Sequence, residues 1–150
     1  MMRGYFGIGV YHVKHEVNIG TLWRSAYQLG AAFVFTVGRR YEKQASDTLK
    51  AWRHIPLYHY ETVDELVTFH PLDCRIIGVE MGGYPLPEFC HPERCIYLLG
   101  AEDHGLPESV LAACHHHVAI PSVRFESYNV AVAGSLVMYD RLVKGTTTRP

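Results

Sequence analysis

The chain has 150 residues, close to the usual size of one domain, and 48% of them are hydrophobic and 19% charged. These values predict a single globular domain over residues 1–150, with an apolar core of its own. No run of eighteen apolar residues occurs, so we expect no membrane span. The N-terminal segment becomes polar too early for a signal peptide, which makes the cytoplasm the expected location.

Charge is distributed unevenly, although the formal net charge is only −1. Residues 1–60 contain eight Lys and Arg against three Asp and Glu, a local charge of +5, whereas the remainder has six against twelve, or −6. A basic half can follow a phosphate backbone, but an ordinary solvated surface explains the bias equally well. No metal is expected at the three histidines after Cys114, because neighbours in an extended segment point to opposite faces.

Apolar patterning predicts strands that alternate with helices. The helical spacing of Leu22, Ala26 and Leu29, ended by Gly30, predicts a first helix, and the continuous apolar run Ala31–Val37 predicts a strand buried on both faces of a parallel sheet. The predicted elements are, in order, strand Tyr5–His12, turn Lys14–Val17, lead-in Asn18–Thr21, helix Leu22–Leu29, strand Ala31–Val37, basic loop Gly38–His54, strand Leu57–Tyr60, helix Glu61–Phe69, strand Arg75–Val79, turn Gly82–Pro87, strand Ile96–Leu99, helix Pro107–Ala113, strand Val118–Ile120 and helix Asn129–Lys144. The helix Glu61–Phe69 is either capped by Thr62 or has Glu61, Asp64 and Glu65 in its first turn, where the dipole favours acids.

This alternation predicts an α/β domain with a mostly parallel sheet flanked by helices. Ligands of such folds bind outside the carboxyl ends of the strands, where Gly100 and Pro121 are expected. Taken singly, the polar residues and glycines near these ends also have purely structural explanations. Those explanations are tight turns at Gly82 and Gly100, a solvated loop acid at Glu102, a helix N-cap at Asn129, and an ion pair or bound anion at Arg24.

Three segments together form a more specific pattern. Asn18–Ala26 reads NIGTLWRSA, Leu99–Pro107 reads LGAEDHGLP, and Ile120-Pro121 is followed by SYNVAVA at Ser127–Ala133. In this order and over almost the whole chain, they resemble the three motifs of the SpoU/TrmH family of RNA ribose methyltransferases, N-x-G-x-x-x-R-x-A, L-G-x-E-x-x-G-L and I-P-M…S-L-N-V-S-V-A. Tyr128 and Ala131 depart from the third motif, where Leu and Ser are usual.

The resemblance implies a fold, a reaction and a cofactor. The fold is the α/β-knot of the SPOUT class, with a C-terminal trefoil knot over roughly residues 75–145, a feature that the general rule against knots would not suggest. S-adenosylmethionine is the implied cofactor, bent among the knot loops, and two subunits pair through the first and last helices into a homodimer. The implied reaction is methyl transfer to a ribose 2′-hydroxyl of tRNA or rRNA.

The resemblance also assigns roles to residues at the matching positions. Arg24 would act on the 2′-hydroxyl across the dimer interface. It would serve as the base or, since guanidinium rarely gives up a proton, as an electrostatic stabiliser of the developing alkoxide. The implied catalytic residues are Arg24, Asn18, Glu102, Ser127 and Asn129, and the implied cofactor-binding residues are Val79, Gly82, Leu99, Gly100, Ile120, Tyr128 and Val130.

The basic loop after the second strand predicts an RNA contact. Arg39, Arg40, Lys43 and Arg53 supply positive charge there, with Lys50 nearby and with Tyr41 and Trp52 available to stack on bases. Two other readings stay open. One is a non-catalytic RNA-binding module that keeps the fold, although all five implied catalytic residues are present. The other is a nucleotide-binding α/β protein of different chemistry, which would need a glycine-rich phosphate loop that the sequence lacks.

Overall fold

The computed structural model describes residues 4–41, 54–101 and 104–146, which form one sheet with helices packed against it. Its elements are β1 Tyr5–Tyr11, α1 Glu16–Leu29, β2 Phe33–Val37, β3 Leu57–Tyr60, α2 Val63–Phe69, β4 Arg75–Pro85, a short 3₁₀ turn Leu86–Glu88, β5 Arg94–Leu99, α3 Glu108–Ala113, β6 His116–Ala119 and α4 Val130–Lys144.

All strand pairs of the sheet are parallel, and the spatial order is β3-β2-β1-β5-β4-β6. The predicted α/β class with a parallel sheet and flanking helices is therefore confirmed. Because parallel strands point the same way, the carboxyl ends of β4, β5 and β6 lie at one edge of the sheet. That edge is where the chain leaves β5 at Gly100 and leaves β6 toward Ile120.

The core has two buried clusters, one on each side of the sheet. Alternate residues of β5 divide between them: Tyr97 and Leu99 pack with α1 and α4, whereas Ile96 and Leu98 pack with Leu66 of α2 and with α3. A strand with apolar side chains on both faces reads as an unbroken hydrophobic run. This explains why β1, β2 and β5 were recognisable in the sequence.

Helix α1 begins earlier than predicted. The sequence placed a turn at Lys14–Val17 and a lead-in at Asn18–Thr21, but the helix starts at Glu16 and includes the second half of the predicted turn and the whole lead-in. The Asn18 amide donates to the His15 carbonyl at 3.0 Å, and the Glu16 carboxylate lies in the first turn, where the helix dipole favours it. Asn18 is therefore a residue of the first helical turn rather than of a loop.

Strand β4 is longer than predicted, and the predicted turn at Gly82–Pro87 is wrong over its first four residues. A register shift lets both Val79 and Tyr84 pair with Val118 of β6, so β4 resumes pairing and continues to Pro85. A Cβ on Gly83 would lie 2.8 Å from the Val118 carbonyl carbon, so only glycine allows this approach. The glycines therefore form a bulge within a strand, a feature that turn composition alone did not indicate.

Helix α4 is fixed to the sheet by buried polar side chains. Arg141, 2% exposed, donates to the Pro92 carbonyl at 2.6 Å and the Glu93 carbonyl at 2.9 Å. His91 lies 2.6 Å from the Tyr97 hydroxyl through Nδ1 and 2.7 Å from the Asp140 carboxylate through Nε2. Burial lowers the pKa of His91 despite its acidic neighbour. This network holds the C-terminal half of α4 against the start of β5.

Two further features concern the described ranges as a whole. No helix there has the length and apolar character that crossing a bilayer requires. The same ranges contain no group of three or more His, Cys, Asp or Glu side chains arranged to hold a metal ion.

Candidate active site

A cavity of about 240 Å³ opens at the carboxyl end of β5, next to the middle of β4 and beside the segment that follows β6. Its walls come from residues 79–81 of β4, the loop after β5, the segment 120–128 and the first turns of α4. The described residues that line it are Val79, Glu80, Met81, Leu99, Gly100, Ala101, His104, Gly105, Ile120, Glu126, Ser127, Tyr128, Val130 and Ala133. Its position is the one expected for a ligand site in a parallel sheet.

Two glycines of the loop after β5 allow it to fold tightly against the middle of β4, at Glu80. A Cβ on Gly100 would overlap the backbone of Gly105, and a Cβ on Gly105 would overlap the carboxylate of Glu80. Gly105 also has a φ of +61°, in the left-handed region that favours glycine. The two glycines of LGAEDHGL therefore stand where the close packing of the cavity wall leaves little room for a Cβ.

The Glu80 carboxylate ties this loop to β4. Its Oε2 accepts a hydrogen bond from the Leu106 amide at 2.6 Å, and its Oε1 accepts one from the Met81 amide at 2.9 Å. Hydrogen bonds to an ionised carboxylate are stronger than those between neutral groups. The half-buried Glu80 therefore helps to set the position of the Gly105–Leu106 turn at the cavity.

Two predicted catalytic residues, 111 positions apart in the sequence, meet beside the cavity. The Asn129 side-chain amide donates to Asn18 Oδ1 at 3.0 Å. The Oδ1 of Asn129 also accepts from the amides of Ala131 at 2.9 Å and Val132 at 3.2 Å, so it caps α4. The structural explanation for Asn129 is therefore correct, and the same side chain joins the first and third motifs.

The segment between β6 and α4 is stabilised by hydrogen bonds between its own residues. The Tyr128 hydroxyl donates to the Pro121 carbonyl at 2.6 Å, and the Glu126 amide donates to Ser122 Oγ at 3.1 Å. These bonds hold Ser127 and Tyr128 at the cavity wall. The tyrosine that departs from the third motif thus makes a hydrogen bond that a leucine could not make.

Arg24 lies away from the cavity of its own chain. It is exposed on α1 and forms no hydrogen bond or ion pair with another residue of the described ranges. Helical spacing places it on the same face as Thr21 and Gln28. Thr21 also borders a shallow apolar hollow between α1 and α4, so Arg24 lies near that surface.

Both described arginines of the predicted RNA-binding set have contacts within the chain. Arg39 donates to the carbonyls of Lys14 at 2.6 Å and Val13 at 3.4 Å, and Arg40 pairs with Glu61 at 2.9 Å. Both side chains remain exposed. The other predicted basic residues, Lys43, Lys50 and Arg53, lie outside the described residues, as do Trp52 and the predicted catalytic Glu102.

The cavity contains most of the residues predicted to bind a cofactor. Six of the seven line it: Val79, Leu99, Gly100, Ile120, Tyr128 and Val130. Gly82 lines a neighbouring groove instead, together with Tyr84 and the histidines of β6. Sequence reasoning missed three ionisable residues of the wall, Glu80, His104 and Glu126. The one feature of the sequence that could have indicated them is that each lies within a few residues of a predicted ligand loop.

Comparison with known proteins gives a consistent result. The family model of the SpoU rRNA Methylase family matches residues 6–139, whereas comparison with curated protein sequences finds no match. The SpoU methyltransferase AviRb of Streptomyces viridochromogenes, solved with AdoMet, is 20% identical with a TM-score of 0.85, and the match covers 96% of this chain and 59% of AviRb. This chain therefore spans about three fifths of that structure.

Two other solved structures have similar folds over more of their own length. A protein solved in a study of the 2-OH methylation of C/U34 on tRNA is 25% identical with a TM-score of 0.80, covering 94% of this chain and 97% of that one. The TrmH/SpoU tRNA modifying enzyme of A. aeolicus is 16% identical with a TM-score of 0.83, covering 95% and 76% respectively. The resemblance predicted from the three motifs is confirmed: this chain belongs to the SpoU rRNA Methylase family.

Proposed function

We propose that this chain is an S-adenosylmethionine-dependent methyltransferase that modifies a ribose 2′-hydroxyl of tRNA or rRNA. The observation that carries the proposal is the hydrogen bond between Asn18 and Asn129 beside a cavity built from the second and third motifs. All three motifs thus converge on one site. AviRb, solved with AdoMet, and the protein solved in the study of tRNA 2-OH methylation support the assignment.

The cavity has the chemistry that S-adenosylmethionine requires. Aliphatic side chains of Val79, Leu99 and Ile120 give apolar walls for a purine, and Gly100 brings backbone close to the space between them. Glu80 and Glu126 are carboxylates on the wall, suited to a cationic ligand. The predicted cofactor-binding residues are retained in the proposal, with Gly82 at the rim in the neighbouring groove.

When bound, S-adenosylmethionine supplies an activated methyl group, so the protein has to align the target oxygen and ease loss of its proton. We assign Ser127 and Asn129 to the wall that faces the ribose, with Asn18 holding Asn129 in place. Arg24 binds the adjacent phosphate and stabilises the developing negative charge on the 2′-oxygen. Glu102 is assigned on its motif position alone.

The exposed face of α4 supports a homodimer that would bring Arg24 to the partner's cavity. Val132, Leu136, Tyr139 and Val143 recur at helical spacing and are 38–65% exposed. An apolar stripe of this kind on a helix surface is a typical association surface. It adjoins the hollow between α1 and α4, near the face that carries Arg24.

RNA would approach over the predicted basic segment. Arg40 and Arg39 are exposed near the ends of β2 and β1, and Lys43 and Arg53 belong to the same proposal on sequence grounds. We also propose that residues 1–150 form one catalytic domain, knotted over roughly 75–145, and that it acts in the cytoplasm, where its RNA substrates are found. No observation favours the non-catalytic alternative.

The deciding experiment incubates the purified protein with labelled S-adenosylmethionine and RNA from cells that lack it, and then maps the new methyl group. We expect incorporation at a ribose, loss of incorporation in Arg24→Ala, and nearly unchanged cofactor affinity in that variant. Arg24→Lys tests whether charge alone suffices. Full methylation by Arg24→Ala on a verified substrate would contradict the assigned role.

Mixing two inactive variants tests whether Arg24 acts across the dimer. Arg24→Ala has an intact cavity, and Asn129→Ala supplies an intact Arg24. If Arg24 acts in trans, random mixed dimers contain one complete site in half of the molecules and recover about a quarter of wild-type activity. If it acts within its own chain, the mixture stays inactive.

A further inference from the structure

We propose that Glu80 and Glu126 make the cavity selective for the cationic cofactor over its neutral by-product, S-adenosylhomocysteine. The inference rests on the proposed function and assigns a specificity role to two residues that lie outside the three motifs. Both carboxylates are on the cavity wall, one in the middle of β4 and the other in the segment before α4. They reach the same space from separate parts of the chain.

The charges of the cavity wall are of one sign. Within the described residues that line it, Glu80 and Glu126 are the only acidic side chains, and neither Lys nor Arg is among them. The aliphatic walls reduce the local dielectric response, so the field of the carboxylates is screened less than on an open surface.

Glu80 is held at a fixed place in this wall. Its two oxygens accept from the amides of Met81 and Leu106, and Gly105 packs against the carboxylate without room for a side chain. Each carboxylate oxygen has a second lone pair that these amides do not use. Glu80 therefore presents negative charge at a defined point, whereas the Glu126 side chain is exposed and more freely placed.

The reaction changes the charge of what the cavity holds. The cofactor carries a sulfonium, an ammonium and a carboxylate, a net charge of about +1 at neutral pH. Methyl transfer forms the ribose O–CH₃ bond, breaks the S–CH₃ bond with the electron pair left on sulfur, and releases the hydroxyl proton to solvent. The by-product is then neutral overall, so the negatively charged wall attracts it less strongly than it attracts the cofactor.

The test measures dissociation constants of both compounds by calorimetry for the wild type and for single Glu→Gln variants. Glu126→Gln removes one charge without touching a backbone hydrogen bond, and Glu80→Gln removes the fixed charge. Glu93→Gln is the matched control, because Glu93 precedes β5 and the six residues of that strand separate it from the cavity edge by about 20 Å.

We expect each cavity variant to lower the ratio of the by-product's to the cofactor's dissociation constant by ~3–10-fold, and Glu93→Gln to leave it unchanged. Raising the salt concentration should lower the wild-type ratio too. An amine analogue that keeps the positive charge at the sulfur position should follow the cofactor and not the by-product. These three results together support the inference.

Equal weakening of both ligands in Glu80→Gln would show a structural role only and would overturn the charge assignment for that residue. An unchanged ratio in Glu126→Gln, whose backbone contacts are intact, would overturn it for the second residue even if Glu80→Gln does not fold. A wild-type protein that binds neither compound would instead refute the proposed function. Failure of the inference and failure of the function are therefore distinguishable.

Discussion

Asn129 makes two kinds of hydrogen bond that substitution can separate. In Asn129→Ala, α4 loses an N-cap that accepts from two amides, a change that costs about 1 kcal/mol in typical helices. The same substitution removes the hydrogen bond to Asn18, which is only 9% exposed, and a hydrogen bond to a buried group contributes about 1 kcal/mol or somewhat more. We therefore expect Asn129→Ala to lower the free energy of unfolding by about 2–3 kcal/mol.

Asn129→Ser keeps an oxygen that can cap α4 and has no amide to reach Asn18. It should therefore lose only about 1 kcal/mol, and a double-mutant cycle with Asn18→Ala should show coupling of about 0.5–1 kcal/mol. The assay is urea unfolding followed by circular dichroism, at one protein concentration, because any association of subunits would contribute to the measured stability. If the Ser variant is destabilised as much as the Ala variant, the cap is not the source of stability, and zero coupling would refute the contribution of the bond.

Tyr128 and His91 give two further predictions, one on cofactor affinity and one on the pH dependence of stability. Tyr128→Phe removes the hydrogen bond to the Pro121 carbonyl but keeps the ring, so we expect cofactor affinity to fall about fivefold; unchanged affinity in calorimetry would show that this bond does not shape the cavity. Burial lowers the pKa of His91 in the folded protein. The contribution of His91 to stability is therefore complete at pH values above the ordinary histidine pKa, near 6.5, and is lost as the pH falls from there through the lower pKa of the folded protein. Urea unfolding between pH 7.5 and 5 should show this loss as a fall in the free energy of unfolding of at most about 1.4 kcal/mol per pH unit. In His91→Asn the free energy of unfolding should depend less steeply on pH, and an equal dependence in both proteins would contradict the prediction. Some pH dependence should remain in the variant because burial also lowers the pKa of His115.

The parts of the fold that could be predicted from sequence are those in which one apolar pattern decides the outcome. β2 and β5 are buried on both faces, so their hydrophobic runs identified them. The start of α1 could not be predicted, because β-branched Val17 and Ile19 and the glycine at position 20 are poor helix formers, and packing on the sheet overrides propensity there. β4 was cut short because its continuation at Tyr84 and Pro85 depends on pairing with Val118 and Ala119 of β6, 34 residues later in the chain.

Some residues of the candidate site could likewise be predicted from the sequence, and others could not. Gly100 and Ile120 could be placed in it because both follow strands whose carboxyl ends share one edge of the sheet. Glu80 could not, since its importance comes from contact with Gly105 and Leu106 across the sheet, and no local pattern records that contact. Arg24 could be named from its motif, but it is not among the described residues that line the cavity.

The motif residues differ in how much they reveal about catalysis. Gly105 has a left-handed φ of +61° and packs against the Glu80 carboxylate, and Asn129 caps α4, so both have structural roles that a non-catalytic protein of the same fold would share. Arg24 is different: it is exposed and has no hydrogen bond or ion pair to any other described residue, so none of the described residues accounts for an arginine there. In the proposed function it acts on RNA at a partner's cavity, which is a role outside its own chain. Arg24 is therefore the position at which an enzyme and a non-catalytic relative of this fold should differ most.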